Sequence, residues 1–406
     1  MNACILTIGD ELLQGFTTDT NSTWLGKTLL PYGISINKIV TVGDDHDSII
    51  DESRKILDGN FDFLFVTGGL GPTHDDVSKT AFCQLFSDEM YLDKDYFIHL
   101  KNRFEAISRN MPEINRSQAM LLKNADNIPN VSGSALGMHY FENNTHVFIM
   151  PGVPGEMKVM VQNYIIPKYM KNDPLTNQIT IKTAGIMESR LAEKIESLMK
   201  KYSSTFGFSF LPHYNGVSFR IRQKIISDDL QKIKADFFNA MQPYAYGFDD
   251  DILEGVLAHA LIEKKLTIAT AESCTGGLIA KRLTDVAGSS KYFLGSITAY
   301  SNKLKIDLLG VAKNTIKQYG AVSEETALKM AEGILNKTQA DIGISTTGIS
   351  GPDGGSESKP LGLVYIAVVT PKISKVKKYI FHVNRYIHRE MTSTAALNIT
   401  RLALDR

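Results

Sequence analysis

The spacing of apolar residues changes period several times in the first 70 positions. ACILTI is a short apolar run stopped at Gly9, and TNSTWLGKTLLPYG spaces its apolar residues helically before a glycine. ISINKIVTV then reads as strand, DSIIDESRKIL as helix, and FDFLFV as a buried strand. This β-α-β-α-β order predicts an α/β fold with a parallel, doubly wound sheet. Ligands of such sheets lie beyond the carboxyl ends of the strands. The unusual residues collect there: ILTI leads into IGDELLQG, KIVTV into GDDHD, and FLFV into TGGLGPTHDD. Three acidic or glycine-rich loops converge on one rim.

A break is expected at Lys171, Asn172, Asp173 and Pro174. Beyond it, helical ESRLAEKIESLMKK, alternating FGFSFLP and GVSFRIRQ, and helical DLQKIKADFFNAM outline a small α+β module. A second break is expected at 246–251. The remainder again alternates: helix ILEGVLAHALIEK, strand LTIATA, helix GLIAKRLT, strand YFLGSITAY, helix EETALKMAEGIL, strand IGISTT. Three domains follow, 1–171, 172–248 and 249–406, each long enough to bury a core.

Composition narrows the function. Lys+Arg and Asp+Glu both number 44, so no global field recruits nucleic acid or an anionic membrane. No apolar run approaches the roughly 18 residues of a transmembrane helix, and the N-terminus lacks the basic region of a signal peptide. Three cysteines, Cys4, Cys83 and Cys274, read as reduced thiols of a cytoplasmic protein.

On the first rim, Gly68, Gly69 and Gly71 allow close backbone approach, and the following helix start suits an anion. Asp75 and Asp76 sit beside them, with Asp10, Glu11, Asp44 and Asp45 in neighbouring loops. Carboxylates repel bare phosphate, so the combination suits a divalent cation bridging a phosphate or diphosphate. The plainer alternative is that the Asp pair caps the helix. No HExxH or CxxC spacing occurs, which argues against a structural or protease-type zinc site.

A second cluster lies in AESCTGG (271–277), between a strand and a helix. A nucleophile at that turn has main-chain amides at hand for an oxyanion. Ser273 or Thr275 could equally be an N-cap, and Cys274 a packed thiol. A serine needs a base, and no histidine is near in sequence; a lysine in a dry site would serve. In YSNKLK, Lys305 and Ser301 share a helical face while Lys303 points elsewhere. TGISGPDGG, with Gly348 and Gly351, is a further glycine loop suited to ribose and phosphate.

Together these motifs resemble the CinA family over nearly the whole chain. IGDELLQGFTTDTNS, TGGLGPTHDDVSKTA and MPGVPGEM are similar to its amino-terminal domain, a molybdopterin-binding-like fold of the MogA and MoeA type. Ser78 stands where the family usually has Thr. The resemblance implies metal-dependent hydrolysis of ADP-ribose to AMP and ribose 5-phosphate. It puts the functional acids on Asp76 and Asp44, with Asp75 and Asp10 beside them as metal ligands. Asn21 and Thr73 join the glycines as substrate-binding residues. AESCTGG through TTGISGPDGGSESKPLGLVYIAV resembles the carboxy-terminal domain, whose active members convert nicotinamide mononucleotide (NMN) and water to nicotinate mononucleotide and ammonia. It implies a Ser273/Lys305 pair without a cofactor, with Tyr300, Thr347 and Arg385 also functional. Gly276 and Gly277, with the helix-start amides, are expected to form the oxyanion hole. Tyr300 is expected to donate to Lys305 or to the oxyanion. Arg385 is expected to grip phosphate or to hold Lys305 neutral by like charge. It lies in FHVNR, where the family more often has a glycine and an acidic residue. The middle module resembles a KH-like linker, but with no GXXG its expected role is that of a spacer and dimerisation element, with Arg220, Arg222 and Lys224 on a solvated face. A homodimer follows as the expected assembly. Alternatives of other classes are a non-catalytic molybdopterin-type or competence-associated binding protein, and a deamidase with an inert first domain.

Overall fold

The computed structural model describes residues 1–106, 108–170, 178–224 and 229–404. The chain forms two compact units, Met1–Thr176 and Asn177–Arg406. The first break expected, at 171–174, lies outside the described residues.

In the first unit, β1 (Asn2–Ile8), β2 (Ser35–Val42), β3 (Phe63–Thr67) and a late strand Thr145–Met150 run parallel. Between β3 and that late strand come β4 (Met90–Leu92), β5 (Met120–Leu122), β6 (Asp126–Ile128) and β7 (Gly137–Glu142), so Thr145–Met150 is β8. The sheet order is β2-β1-β3-β8-β7-β6, with β7 and β6 antiparallel. The parallel core is as the periodicity predicts, and the antiparallel edge is an addition. β3 is buried along its whole length, as a strand covered on both faces must be. Helix Thr20–Leu29 starts on an Asp19 cap and His46–Leu57 on an Asp45 cap, each carboxylate accepting an amide at 2.9 Å. Asp45 therefore serves the helix rather than the rim.

In the second unit, β9 (Gln178–Thr183), β10 (Phe206–His213), β11 (Gly216–Gln223) and β12 (Ala245–Phe248) form an antiparallel sheet ordered β10-β11-β9-β12. Helices Glu188–Tyr202 and Leu230–Ala240 pack on it through Leu191, Ile195, Ile233 and Phe237. The second expected break thus begins as an edge strand, because Asp249 accepts the Thr180 amide at 2.9 Å and holds it in place. Arg222 and Lys224 are exposed, as an outward strand face requires.

The other sheet of this unit contains β13 (Ile268–Glu272), β14 (Phe293–Thr298), β15 (Ile342–Gly348), β16 (Leu363–Val369) and β17 (Ser374–Ile380). Its order is β14-β13-β15-β16-β17, with the first three parallel and the last two antiparallel. The final helix, Arg385–Leu404, lies on it with Ala396, Leu397, Ile399 and Leu404 in the core. Gly343 on β15 is needed for close packing: a Cβ there would come within 2.5 Å of the Ala331 carbonyl in helix Glu324–Thr338.

Candidate active site

β13 ends at Glu272, and the chain turns through 273–277 before helix Leu278–Thr284. Gly276 and Gly277 both adopt positive φ (60° and 92°), which a side chain resists. The turn sets Ser273, 8 % exposed, at the mouth of a cavity of about 190 Å³. Tyr300, Lys305, Thr347, Gly348 and Arg385 share its lining, so every carboxy-terminal residue singled out as catalytic gathers in one place.

Lys305 comes from helix Asn302–Asp307, started by Ser301, whose hydroxyl accepts the Leu304 amide at 3.2 Å. The side chain is 1 % exposed. Its Nζ stands 3.0 Å from Ser273 Oγ, 2.8 Å from the Ala299 carbonyl and 3.2 Å from the Tyr300 carbonyl. Burial pushes its pKa below the usual lysine value. A neutral amine has two hydrogens and one lone pair. In that form, with the two carbonyls taking the hydrogens, the lone pair would face the serine hydroxyl. Lys303 instead reaches Asp307 at 2.5 Å on the exposed side.

Several roles differ from expectation. Of the two roles expected of Tyr300, a phenol bond to Lys305 is absent among the described residues, and its main-chain carbonyl meets Lys305 instead. Its hydroxyl accepts from Arg385 Nη2 at 2.8 Å, while Arg385 Nη1 donates to the Gly351 carbonyl at 2.9 Å. Arg385 thus braces the cavity rim, and desolvation, not its charge, depresses Lys305. Thr347 Oγ1 donates to the Ala321 carbonyl at 2.6 Å, which ties β15 to the opposite wall. Cys274 is buried, and burial drives its thiol up to about 12, far from a thiolate.

The helix-start amides expected in the oxyanion hole are already engaged. Glu272, 0 % exposed, accepts the amides of Gly277 at 2.9 Å, Ile279 at 3.2 Å and Ala280 at 2.8 Å. The Gly276 amide returns to the Ser273 carbonyl at 3.1 Å. The amides of Gly276 and Gly277, two of the expected donors, are therefore already occupied. Arg389 Nη2 and Nε hold the Thr275 carbonyl at 2.7 and 3.2 Å. Sequence reasoning missed Glu272 and Arg389. Glu272 carried a legible signal, an acid ending an apolar strand just before a glycine turn into a helix. Arg389 carried none, being over 110 positions away.

In the first unit, the glycine loop folds as anticipated. Gly68 (φ 116°) and Gly69 (φ 65°) pass so close to the Ile8 carbonyl and to Ser78 that a Cβ would collide. Ser78 Oγ donates to the Gly68 carbonyl at 2.9 Å and so braces the loop. Asn21 Nδ2 donates to Gly152 at 2.8 Å, and its buried Oδ1 has no partner among the described residues. Asp10 and Asp44 pair reciprocally: Asp44 accepts the Asp10 amide at 2.9 Å and Asp10 the Asp44 amide at 3.3 Å. Burial, then the charges of Glu11, Asp10 and Asp75, lift Asp44 above its usual range. Asp76 turns onto its own loop, accepting the amides of Gly71 at 2.7 Å and Thr73 at 2.9 Å together with the Thr73 hydroxyl. Asp75 stays exposed, and the Thr73 hydroxyl lowers its pKa. Beside them Lys79 donates to the Ser117 carbonyl at 3.0 Å, and burial lowers its amine to about 8.

The fit of a metal to this rim is poor. Among the described residues no three His, Cys, Asp or Glu side chains group closely enough to hold an ion. Asp76, Asp10 and Asp44 already serve backbone amides. No helix among the described residues is long and apolar enough to cross a membrane.

Residues 4–171 match the family described as probable molybdopterin binding domain, and residues 250–404 match the CinA C-terminal domain. Fold and site thus define a chain that joins a molybdopterin-binding-type α/β domain to a CinA-type domain. The chain belongs to the CinA family. It is 41 % identical to a CinA-like protein of Chloroherpeton thalassium, with all of both chains covered. It is 36 % identical to a putative competence-damage inducible protein of Clostridium tetani, covering 99 % of each. Among solved structures, the competence/damage inducible protein CihA from Agrobacterium tumefaciens is 39 % identical over 38 % of this chain and 98 % of that one, with a TM-score of 0.36.

Proposed function

We propose that the carboxy-terminal domain is an amidohydrolase acting on NMN, with Ser273 as nucleophile and Lys305 as general base. The observation that carries this reading is the 3.0 Å approach of Lys305 Nζ to Ser273 Oγ, with the other two directions of that nitrogen occupied by carbonyls. Ser273 Oγ attacks the carboxamide carbon as its proton passes to Lys305. The tetrahedral oxyanion collapses, the C–N bond breaks, and the lysine proton leaves with ammonia. Water, deprotonated by the same amine, then cleaves the acyl ester to nicotinate mononucleotide. The amides of Cys274 and Thr275 are the donors nearest to hand for the oxyanion, since the Gly276 amide returns to the Ser273 carbonyl and Glu272 takes those of Gly277, Ile279 and Ala280. Ammonia release from NMN tests the reading. Ser273→Ala removes it, by about a thousandfold or more, whereas Cys274→Ala leaves most of it. The reverse pattern refutes the mechanism.

For the amino-terminal domain we propose binding and hydrolysis of ADP-ribose at the glycine loop. A divalent ion would enter with the diphosphate, whose oxygens supply most of its ligands, rather than be held in advance by the protein. A second reading, a nucleotide-binding domain without turnover, is favoured by the carboxylates' engagement with their own loops. AMP production from ADP-ribose with added magnesium, and its loss with chelator, separates the two. We also propose a homodimer and a cytoplasmic location; the mass of the purified chain in solution tests the first.

A further inference from the structure

The middle module, expected as a spacer, is bonded into the scaffold behind the nucleophile. The turn between β10 and β11, residues 213–216, meets helix Arg385–Leu404. There Thr394 Oγ1 donates to Asn215 Oδ1 at 2.8 Å and accepts from Arg282 Nη1 at 2.8 Å. Arg282 Nη1 also reaches Ser393 Oγ at 2.7 Å. Its Nε and Nη2 grip Glu254 at 3.1 and 2.8 Å, a largely buried pair with side chains 12 % and 14 % exposed. Arg282 belongs to helix Leu278–Thr284, which begins directly after the Ser273 turn.

The same long helix serves the site from its other end. Arg389 holds the Thr275 carbonyl, and Arg385 holds Tyr300 and Gly351. A second tie joins it to the module, from Arg401 Nη2 to the Pro243 carbonyl at 2.7 Å. Tyr214 lies close enough to Tyr386 and Glu390 to have its phenol pKa raised by them, after burial. The module therefore touches the helix at three levels, and two elements bearing on Ser273 meet at Thr394.

We infer that Asn215 is a positioning residue of the carboxy-terminal site: through Thr394 and Arg282 it sets how the Ser273 turn sits against Lys305. This rests on the amidohydrolase reading above. Displacing a nucleophile by a fraction of an ångström lowers the chemical step more than ground-state binding. In the full chain, Asn215→Ala should lower kcat for ammonia release by about tenfold, with KM held within about twofold and Tm nearly unchanged. Asn215→Asp keeps an acceptor for Thr394 and should restore most of kcat. A hydrogen–deuterium exchange measurement makes the outcome independent of the substrate chosen. Amides of 273–284 should exchange faster in Asn215→Ala and return to wild-type rates in Asn215→Asp. Wild-type kinetics and unchanged exchange in Asn215→Ala overturn the inference. So does a loss of kcat that follows Tm and is not rescued by Asp. If the wild-type chain releases no ammonia from NMN, the reaction assigned above fails, and exchange alone decides: faster in the alanine variant supports the tie, unchanged refutes it.

Discussion

Lys305 is enclosed by two carbonyls and a hydroxyl, with no carboxylate paired to it among the described residues. Its protonated form therefore lacks the partner that usually stabilises a buried ammonium. Two consequences can be measured. Ammonia release should rise with pH as the amine deprotonates, with a midpoint below that of an ordinary lysine. Stability follows the same sign: between the lowered folded pKa and the unfolded one, the unfolded chain binds more protons, so stability increases with pH across that window. Lys305→Met should flatten this slope in denaturant melts taken at successive pH values. Lys305→Ala should lower turnover by about 10²- to 10⁴-fold, whereas Lys303→Ala, on an exposed pair with Asp307, should leave it near wild type. Comparable losses from the two lysines would remove the assignment. A nucleophile at a strand-to-helix turn and a lysine beyond the neighbouring strand were legible at one rim, but their pairing came from the resemblance to the CinA family. The roles of Tyr300 and Arg385 were not legible, because whether a phenol or its main-chain carbonyl faces the site depends on a rotamer and not on spacing.

At the scale of elements, the turn 273–277 depends on Glu272. A buried carboxylate that accepts three amides replaces the usual polar cap and is paired with no cation among the described residues. Glu272→Gln substitutes a donor for one acceptor oxygen and leaves at least one amide unpaired. The expected cost is about 1–3 kcal/mol, read as a lower denaturant midpoint, with a larger loss of turnover than the stability change alone explains. A wild-type midpoint would show that the cap does not hold the turn. Strands and helices were readable wherever period or buried apolar runs were strong, as in β3 or His46–Leu57. Strand direction was not. GLVYIAVV marks β16 as buried, but nothing in its residues says that it runs against β15. Likewise β17 presents exposed lysines, and an edge strand of that kind imitates a loop.

For the molecule as a whole, each end domain places its glycine turns and polar residues beyond the carboxyl ends of parallel strands, β1–β3 in one and β13–β15 in the other. Asp76 shapes the first of these rims and lies in a different compact unit from Ser273. Asp76→Ala should loosen the loop and abolish AMP production from ADP-ribose while sparing ammonia release from NMN; loss of both activities would argue for coupling between the units. That the middle module shares a unit with the carboxy-terminal domain was hidden from sequence, because Asn215 and Thr394 lie 179 positions apart.

The carboxylate behind the nucleophile also has an electrical consequence. A helix start carries the equivalent of roughly half a positive charge, and on the one that follows Ser273 the Glu272 side chain already accepts the Gly277, Ile279 and Ala280 amides. The field reaching the serine from that direction is therefore not the positive one that a bare helix end would supply. Beyond the amides just after Ser273, an anion developing on the substrate would find a counter-charge on Lys305 once that amine has accepted the serine proton. In the proposed reaction, charge separation thus runs between lysine and substrate. A substrate whose transition state gathers more negative charge on that oxygen should be more sensitive to a change at Lys305 than one that gathers less.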